Sequence, residues 1–491
     1  MKNSSTSSTN TPTKKVGTLG VMTLAVMNIA AVVSLRGLAA EATYGLSSAF
    51  YYLFAAIVFL IPTSMIAAEL AAMFSGKQGG VFRWVGEAFG EKMGFIAIFL
   101  QWFQNTIWYP TVLTFAAVSL AFIGTDATTD MELASNRVFT LVVVLAVYWL
   151  ATIISLGGLG WVGKVSKFGA IVGTIIPAGL LIIFGIIYIS SGGHNYMDMS
   201  GSFLPDLTNF DNLVLASSIF LFYAGMEMMG VHVMEVKNPK KNYPKAIMIG
   251  SLVTVAIFIL GTFALGFVIP ADKINLTQSL LVGFDNYFAY LHISWMGPVM
   301  AVALAFGVLA GVLTWVSGPS RGIFTVGKAG YLPPYFQKTN KKGVQKNILM
   351  VQGVIVTILG LLFVVLPSVQ SFYQILSQMT VLLYLIMYML MFSAAIYLRY
   401  KHKNIERPFA IGGRSNFWMW IVGGMGFCGS LLAFALSFVM PSIFEGQIST
   451  GLWWGVLVGG TIIVLIIPLV IYTRRKPEWR DPKSDFEPFE N

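Results

Sequence analysis

Along this chain, apolar residues come in long runs, and charged residues gather between them. The runs show neither the alternation of a half-buried strand nor the single apolar stripe of a surface helix. A hydrocarbon core about 30 Å thick takes about 20 apolar residues per helix, so each run predicts a membrane-spanning helix. Twelve spans are predicted: 16–44, 46–73, 93–123, 137–156, 163–190, 211–236, 244–270, 293–319, 348–366, 369–398, 416–440 and 452–473. Residues 1–13 are rich in Ser and Thr and are expected to be disordered. No cleavable signal is expected, because the first apolar run is long enough to stay in the bilayer. The organisation expected is an N-terminal tail over 1–15, one membrane domain over 16–473, and a short tail over 474–491.

Composition narrows the class. Of 491 residues, 56% are hydrophobic and only 11% charged, with a mean hydropathy of +0.75, against about 25% charged in soluble domains. The fold class predicted is an all-α polytopic membrane protein. Charge placement then orients it. With the N-terminus inside, 28 of the 31 Lys and Arg fall in cytoplasmic segments, Arg137 and Lys273 fall outside, and Arg36 is left within a span. Such asymmetry is what sets the topology of helical membrane proteins. The net charge of +10 is therefore read as contact with anionic lipid, not nucleic acid.

Several chemistries drop out. One cysteine, Cys428, allows no intrachain disulfide, and His194, His232, His292 and His402 are too scattered for a zinc site. No metal, cofactor or catalytic constellation is expected, and no filter-like loop repeats. "GLGWVGK", from Gly158, satisfies GxGxxG, but it forms a turn between two spans rather than part of a βαβ unit.

What stays polar within the spans is Arg36, Glu41, Glu69, Glu227, His232 and, at a boundary, Glu235. A charge at a helix centre costs about 2.5–3.5 kcal/mol on insertion scales, so such residues face a cavity or a partner. They gather mainly in spans 1 and 6, which hints at a five-plus-five repeat followed by two helices. In span 6, "LFYAGMEMMG" places Gly225 before Glu227. Gly225 marks either an unwound backbone or a packing contact in a straight helix.

"GMEMMGVHVMEVKNPKKNYPKA" of span 6, "TWVSGPSRGIFTVGKAGYLPP" of span 8 and "AAELAAMFSGKQGGVFRWV" of span 2 resemble signatures of the amino acid–polyamine–organocation superfamily. Within it the chain is most similar to the glutamate:GABA antiporters and related amino-acid/amine exchangers, over residues 15 to 473. The resemblance implies a LeuT-type fold with inverted repeats over about 16–190 and 211–398, two extra helices over 416–473, and alternating access. It implies unwound centres at Asn28 to Val33 in span 1 and at Tyr223, Ala224, Gly225 and Met226 in span 6, with Glu227 just beyond. Superfamily relatives often carry Gly-Ser-Gly where this chain has Ala31, Val32 and Val33. The glutamate:GABA subgroup also lacks those glycines. Trp315 matches an aromatic that lies over the substrate in relatives.

Such a site suits an α-amino acid: helix-terminal amides of span 1 for a carboxylate, and carbonyls of span 6 for an ammonium. Two readings of Arg36 stand. In one, the span ends at Leu35 and Arg36 reaches the outer interface. In the other, it faces the pathway and attracts a substrate carboxylate or pairs with Glu41 or Glu227. Left unpaired, it disfavours dicationic substrates. In span 3, "QWFQNTIWYP" offers Gln104, Asn105 and a helix-distorting Pro110, read first as interhelical hydrogen bonding. Glu69 is read as structural. Glu227 and His232 are candidates for proton coupling or pH sensing, although a lone histidine on a Met-rich face is more simply packed.

The tail "RRKPEWRDPKSDFEPFEN" looks too short, and too acidic at its end, to copy the acid-released plug of some glutamate:GABA antiporters. The function expected is an exchanger of an amino acid for its decarboxylated amine, glutamate/GABA first. Exchange of this kind would help cells in acid, because decarboxylation inside consumes a proton. Tyrosine/tyramine exchange and proton-coupled uptake are the alternatives. The partners expected are small amino acids and amines and the lipid bilayer, with oligomeric state unread.

Overall fold

The computed structural model describes residues 19–124, 126–205, 217–230, 236–413, 415–441 and 444–490. Its helices, in chain order, begin with α1 (Val21–Val32), α2 (Leu38–Ala42), α3 (Ser47–Met73), α4 (Val81–Phe89), α5 (Glu91–Ala121) and α6 (Ala127–Ser135). They continue with α7 (Arg137–Leu156), α8 (Val162–Ser190), α9 (Ser218–Tyr223), α10 (Met226–Gly230), α11 (Pro239–Val268) and α12 (Ser279–Tyr290). The last five are α13 (Met296–Tyr331), α14 (Lys346–Val365), α15 (Val369–Lys401), α16 (Asn416–Leu436) and α17 (Thr450–Thr473).

Nine of these, among the described residues, are long and apolar enough to cross a membrane. Helix α5 has the length too, at 31 residues, but a buried polar stretch of Gln101, Gln104, Asn105 and Thr106 interrupts its apolar run. Two interrupted segments, α1–α2 and α9–α10, complete a polytopic membrane fold. The short helices α4, α6 and α12 lie between the predicted spans, where length alone gave no signal.

Helix α5 packs along both α13 and α15, and these three form the middle of the bundle. Helix α1 runs against α11, α10 against α3, and α8 against α13. Glycine sets the closest crossing: Gly173 of α8 meets the backbone of α13 at Gly307, where a Cβ on either residue has no room. Lipid offers no hydrophobic drive between helices, so close approach of small residues holds such a crossing. Pro110 sits inside α5 without ending it, and Thr114 donates 2.8 Å back to the Pro110 carbonyl.

The two interruptions have different chemistry. Between α9 and α10, Ala224 is extended and Gly225 takes a φ of +111°, a conformation that an L side chain strains. Between α1 and α2, Val33 (φ −65°, ψ 121°) and Ser34 (φ −139°, ψ 119°) are extended, followed by a 3₁₀ turn at Leu35–Gly37. Extended backbone needs no glycine. The sequence placed this break over Asn28 to Val33. The helix instead continues through Asn28, Ala31 and Val32, so the break falls at Val33 and Ser34.

The end of the chain is not a free tail. After α17, Arg475 pairs with Glu91 at 2.8 Å and Lys328 with Asp481 at 3.4 Å. Further on, Lys77 pairs with Glu490. Arg83 of α4 is fully buried, ion-paired to Glu87 at 2.9 Å, and stacked between Phe486 (4.3 Å) and Phe489 (4.9 Å). It also donates 3.1 Å to the Pro488 carbonyl. This short segment thus straps across one end of the bundle, here called the tail face.

Candidate substrate cavity

Between the two interruptions lies a cavity of about 360 Å³, the size of a small-ligand site. Its walls come from six places: Val32 to Arg36 of the first break, the polar face of α5, Ser166 to Thr174 of α8, Ala224 and Gly225 of the second break, Leu304 to Pro319 of α13, and Tyr384 of α15. The breaks matter because unwound backbone is tolerated at membrane depth only against protein or a water-filled cavity.

Arg36 lines this cavity and is only 6% exposed. Its guanidinium donates 3.3 Å to the Thr111 hydroxyl and lies 5.3 Å over the Trp108 ring and 6.0 Å over Phe222. Its Nε has no acceptor among the described residues. Neither acid proposed as its partner reaches it. Glu41 is buried and accepts from the Ser218 hydroxyl at 3.0 Å, tying α2 to α9. Glu227 is committed elsewhere. Arg36 therefore presents a cation to the cavity with no carboxylate beside it among the described residues. A buried unpaired charge of this kind is costly unless a ligand supplies the counter-charge.

Glu227 is 1% exposed and stands behind the cavity wall. One oxygen accepts from Gln101 Nε2 at 2.9 Å and from the Tyr384 hydroxyl, and the other accepts from the Tyr388 hydroxyl. Tyr388 in turn accepts from the Gly225 amide at 2.7 Å. The carboxylate thus ties α5, α10 and α15 together and holds the glycine of the second break. Trp315 faces the same glycine from α13, and Trp108 lies 5.9 Å from Trp315, so two indoles wall one side.

Of the residues singled out in the sequence, Val32, Val33, Arg36, Ala224, Gly225 and Trp315 line the cavity. Asn28, Tyr223, Met226 and Glu227 are buried outside its lining. Asn28 lies against Gly250 of α11, and Tyr223 donates 3.2 Å to the Tyr52 carbonyl. Ala31 lies within α1, and His232 and Glu235 fall outside the described residues. Among the described residues, Gln104 and Asn105 do not bond across helices. Each donates back to the Gln101 carbonyl, at 3.1 and 3.0 Å, while lining the cavity.

Four contributors escaped the sequence reading: Trp108, Thr111, Gln101 and Tyr384. Three of them sit in or beside the quoted α5 stretch, on the face shared by residues 101, 104, 108 and 111, a helical spacing visible in retrospect. Tyr384 and Tyr388, four apart on α15, gave no signal without their partner Glu227. Glu69 lies away from the cavity, where its carboxylate meets Arg399 (2.5 Å), Arg407 (3.4 Å) and the Ile411 amide (2.8 Å). That cluster pins the segment after α15 onto α3.

Comparison with known proteins agrees with this architecture. Residues 19–470 match the family model described as amino acid permease. An uncharacterized transporter of Legionella pneumophila is 36% identical over 455 residues, covering 93% of this chain and 96% of its own. A glutamate/gamma-aminobutyrate antiporter of Lactococcus lactis is 32% identical over 439 residues, covering 88% and 85%. A probable agmatine/putrescine antiporter of the same species is 24% identical, covering 79% and 81%. The cavity between two broken helices thus sits in a chain that is a transporter and not an enzyme, and that belongs to the amino acid permease family of the amino acid–polyamine–organocation superfamily.

Proposed function

We propose that the chain exchanges an acidic amino acid, glutamate first, for its decarboxylated product GABA by alternating access between inverted repeats over about 16–190 and 211–398. The observation that carries this reading is Arg36: a buried guanidinium on the cavity wall with no acidic partner among the described residues. An unpaired cation repels the dications agmatine and putrescine and favours a ligand that brings a carboxylate. Relatives named as glutamate/gamma-aminobutyrate antiporters support the pair. Gln104 and Asn105 offer polar contacts nearby, and Trp108 and Trp315 close the apolar side.

The proposal includes orientation. Lys and Arg crowd the segments on the side of the termini, which supports a plasma-membrane protein with both termini and the tail face in the cytoplasm. Exchange followed by decarboxylation inside removes a proton per cycle, a use in acid surroundings.

The test uses purified protein in liposomes loaded with unlabelled GABA, glutamate, tyramine or buffer, with labelled glutamate or tyrosine outside at pH 5.5 and 7.5. Glutamate entry only into GABA- or glutamate-loaded vesicles supports the proposal. Tyrosine entry into tyramine-loaded vesicles would name the other exchanger, which the indole walls also suit. Comparable uptake into buffer-loaded vesicles under a proton gradient would make the protein a symporter.

A further inference from the structure

Span α13 serves two cavities. Thr314, Trp315 and Gly318 line the central one, whereas Ser317, Arg321 and Lys328 line a second, of about 490 Å³, at the tail face. Met228 lines the central cavity beside this helix, so close that a Cβ on Gly318 would lie 3.2 Å from its methyl. The second cavity is closed on one side by the strap itself, at Lys483 to Asp485. The strap is fixed at both ends, by Asp481 on Lys328 and by Phe486 and Phe489 on Arg83.

The charges around this cavity do not cancel. Lys328 is paired with Asp481, and Lys342 donates 3.1 Å to the Gly157 carbonyl. Among the described residues the Arg321 side chain makes no hydrogen bond or ion pair, and Lys483 has no carboxylate within ion-pair distance although its charge acts on Asp481, with Asp485 the one acid on the lining. Ser155 adds an independent sign of a ligand. It is 4% exposed and lines the cavity, yet its hydroxyl has no hydrogen-bond partner among the described residues. A buried hydroxyl left unmade in this way is costly, and an anion oxygen would satisfy it.

We infer that this is a second, transit site, holding the carboxylate of the acidic substrate on the cytoplasmic side of the central cavity. The inference rests on the exchange reading for its substrate. Cations lining a cleft raise the local concentration of an anion, and this cleft abuts the central site along one helix. The same field disfavours an amine with a net positive charge.

Equilibrium binding of labelled L-glutamate to the full chain in nanodiscs of zwitterionic lipid tests it. Two glutamates per chain are expected for the wild type. Arg36→Gln removes the central one. Arg321→Gln with Lys483→Gln weakens the other about tenfold, the order expected for losing charge-assisted bonds, and removes most of its salt dependence. Ser155→Ala weakens the same component. One glutamate per chain in the wild type, or a second one indifferent to Arg321 and Lys483, overturns the inference. So does displacement of the second glutamate by equimolar inorganic phosphate, which would mark a general anion site. Its loss in discs containing anionic lipid would assign the cavity to a headgroup and overturn it equally. Glutamate/GABA exchange by wild-type liposomes is scored separately, so failure of the transport reading shows as absent exchange, and failure of this one as a missing second glutamate.

Discussion

Gly225 and Trp315 stand so close that a Cβ built on the glycine would lie 2.8 Å from the indole Cη2. The contact joins the break after α9 to the middle of α13, and the amide of the same glycine is held by Tyr388. One residue thus answers to two elements. It needs its left-handed backbone, at φ +111°, and it needs the absence of a side chain.

Gly225→Ala is expected to abolish most transport. The strained backbone costs about 1–2 kcal/mol, and Trp315 must also move off the cavity wall. Trp315→Ala should partly restore the double variant by removing the clash. Exchange rate and thermal unfolding of both variants decide this. A Gly225→Ala protein with wild-type transport would show that the contact is dispensable.

Arg36→Gln is expected to raise KM for an acidic amino acid about 10- to 100-fold, the range for losing a hydrogen bond between charged groups. Because Arg36 has no acid to leave stranded, the variant should unfold at the wild-type temperature or above it. A large loss of thermal stability with unchanged KM would place Arg36 in packing instead.

Tyr388→Phe removes one donor to Glu227 and the acceptor of the Gly225 amide together. A cost of about 1–3 kcal/mol is expected for the buried groups left unsatisfied, with transport falling alongside. Tyr384→Phe keeps the Gly225 bond and should cost less. Unfolding midpoints compared across the two variants measure the difference.

Arg399→Met leaves Glu69 with Arg407 and one backbone amide as its remaining partners. Removing one member of a buried ionic cluster typically costs about 3–5 kcal/mol, so early unfolding is expected. Substrate preference should not change, since the cluster lies outside the cavity. Competition among amino acids, run on the folded fraction, checks the second half.

The strap has a definite pH dependence. The Glu490 carboxyl is held below its ordinary value, chiefly by its hydrogen bond to Lys77. Asp481 is held below its own, chiefly by the Lys483 amide and then by Lys328. Carboxyls with depressed folded pKa values stabilise docking fully above their unfolded pKa, about 4, and lose that contribution as pH falls through the folded value. Protection of the strap from carboxypeptidase should therefore be equal at pH 7.5 and 5.5 and fail only below about pH 4. Release between 7.5 and 5.5 would require another titrating group.

Much of this protein was legible from one dimension. The spans could be read because a bilayer imposes a length of apolar residues on every helix, and α5, α11 and α15 fall close to the predicted ranges. Gly225 could be read because a positive φ selects for glycine. The first break was harder to place, since extended backbone at Val33 and Ser34 selects for no residue type. Charge runs marked the ends of the spans, but not that Arg83 would bury itself between Phe486 and Phe489 of a tail some 400 residues on in the chain.

What only the tertiary structure decided is pairing. Arg36, Glu41 and Glu227 are visible as three intramembrane charges, and the sequence allows Arg36 to pair with either acid. Packing gives Glu41 to Ser218, gives Glu227 to Gln101, Tyr384 and Tyr388, and leaves Arg36 facing the cavity. Composition fixes how many charges a membrane must accommodate. Which of them stays uncompensated is a matter of angstrom-scale distances between helices far apart in the chain.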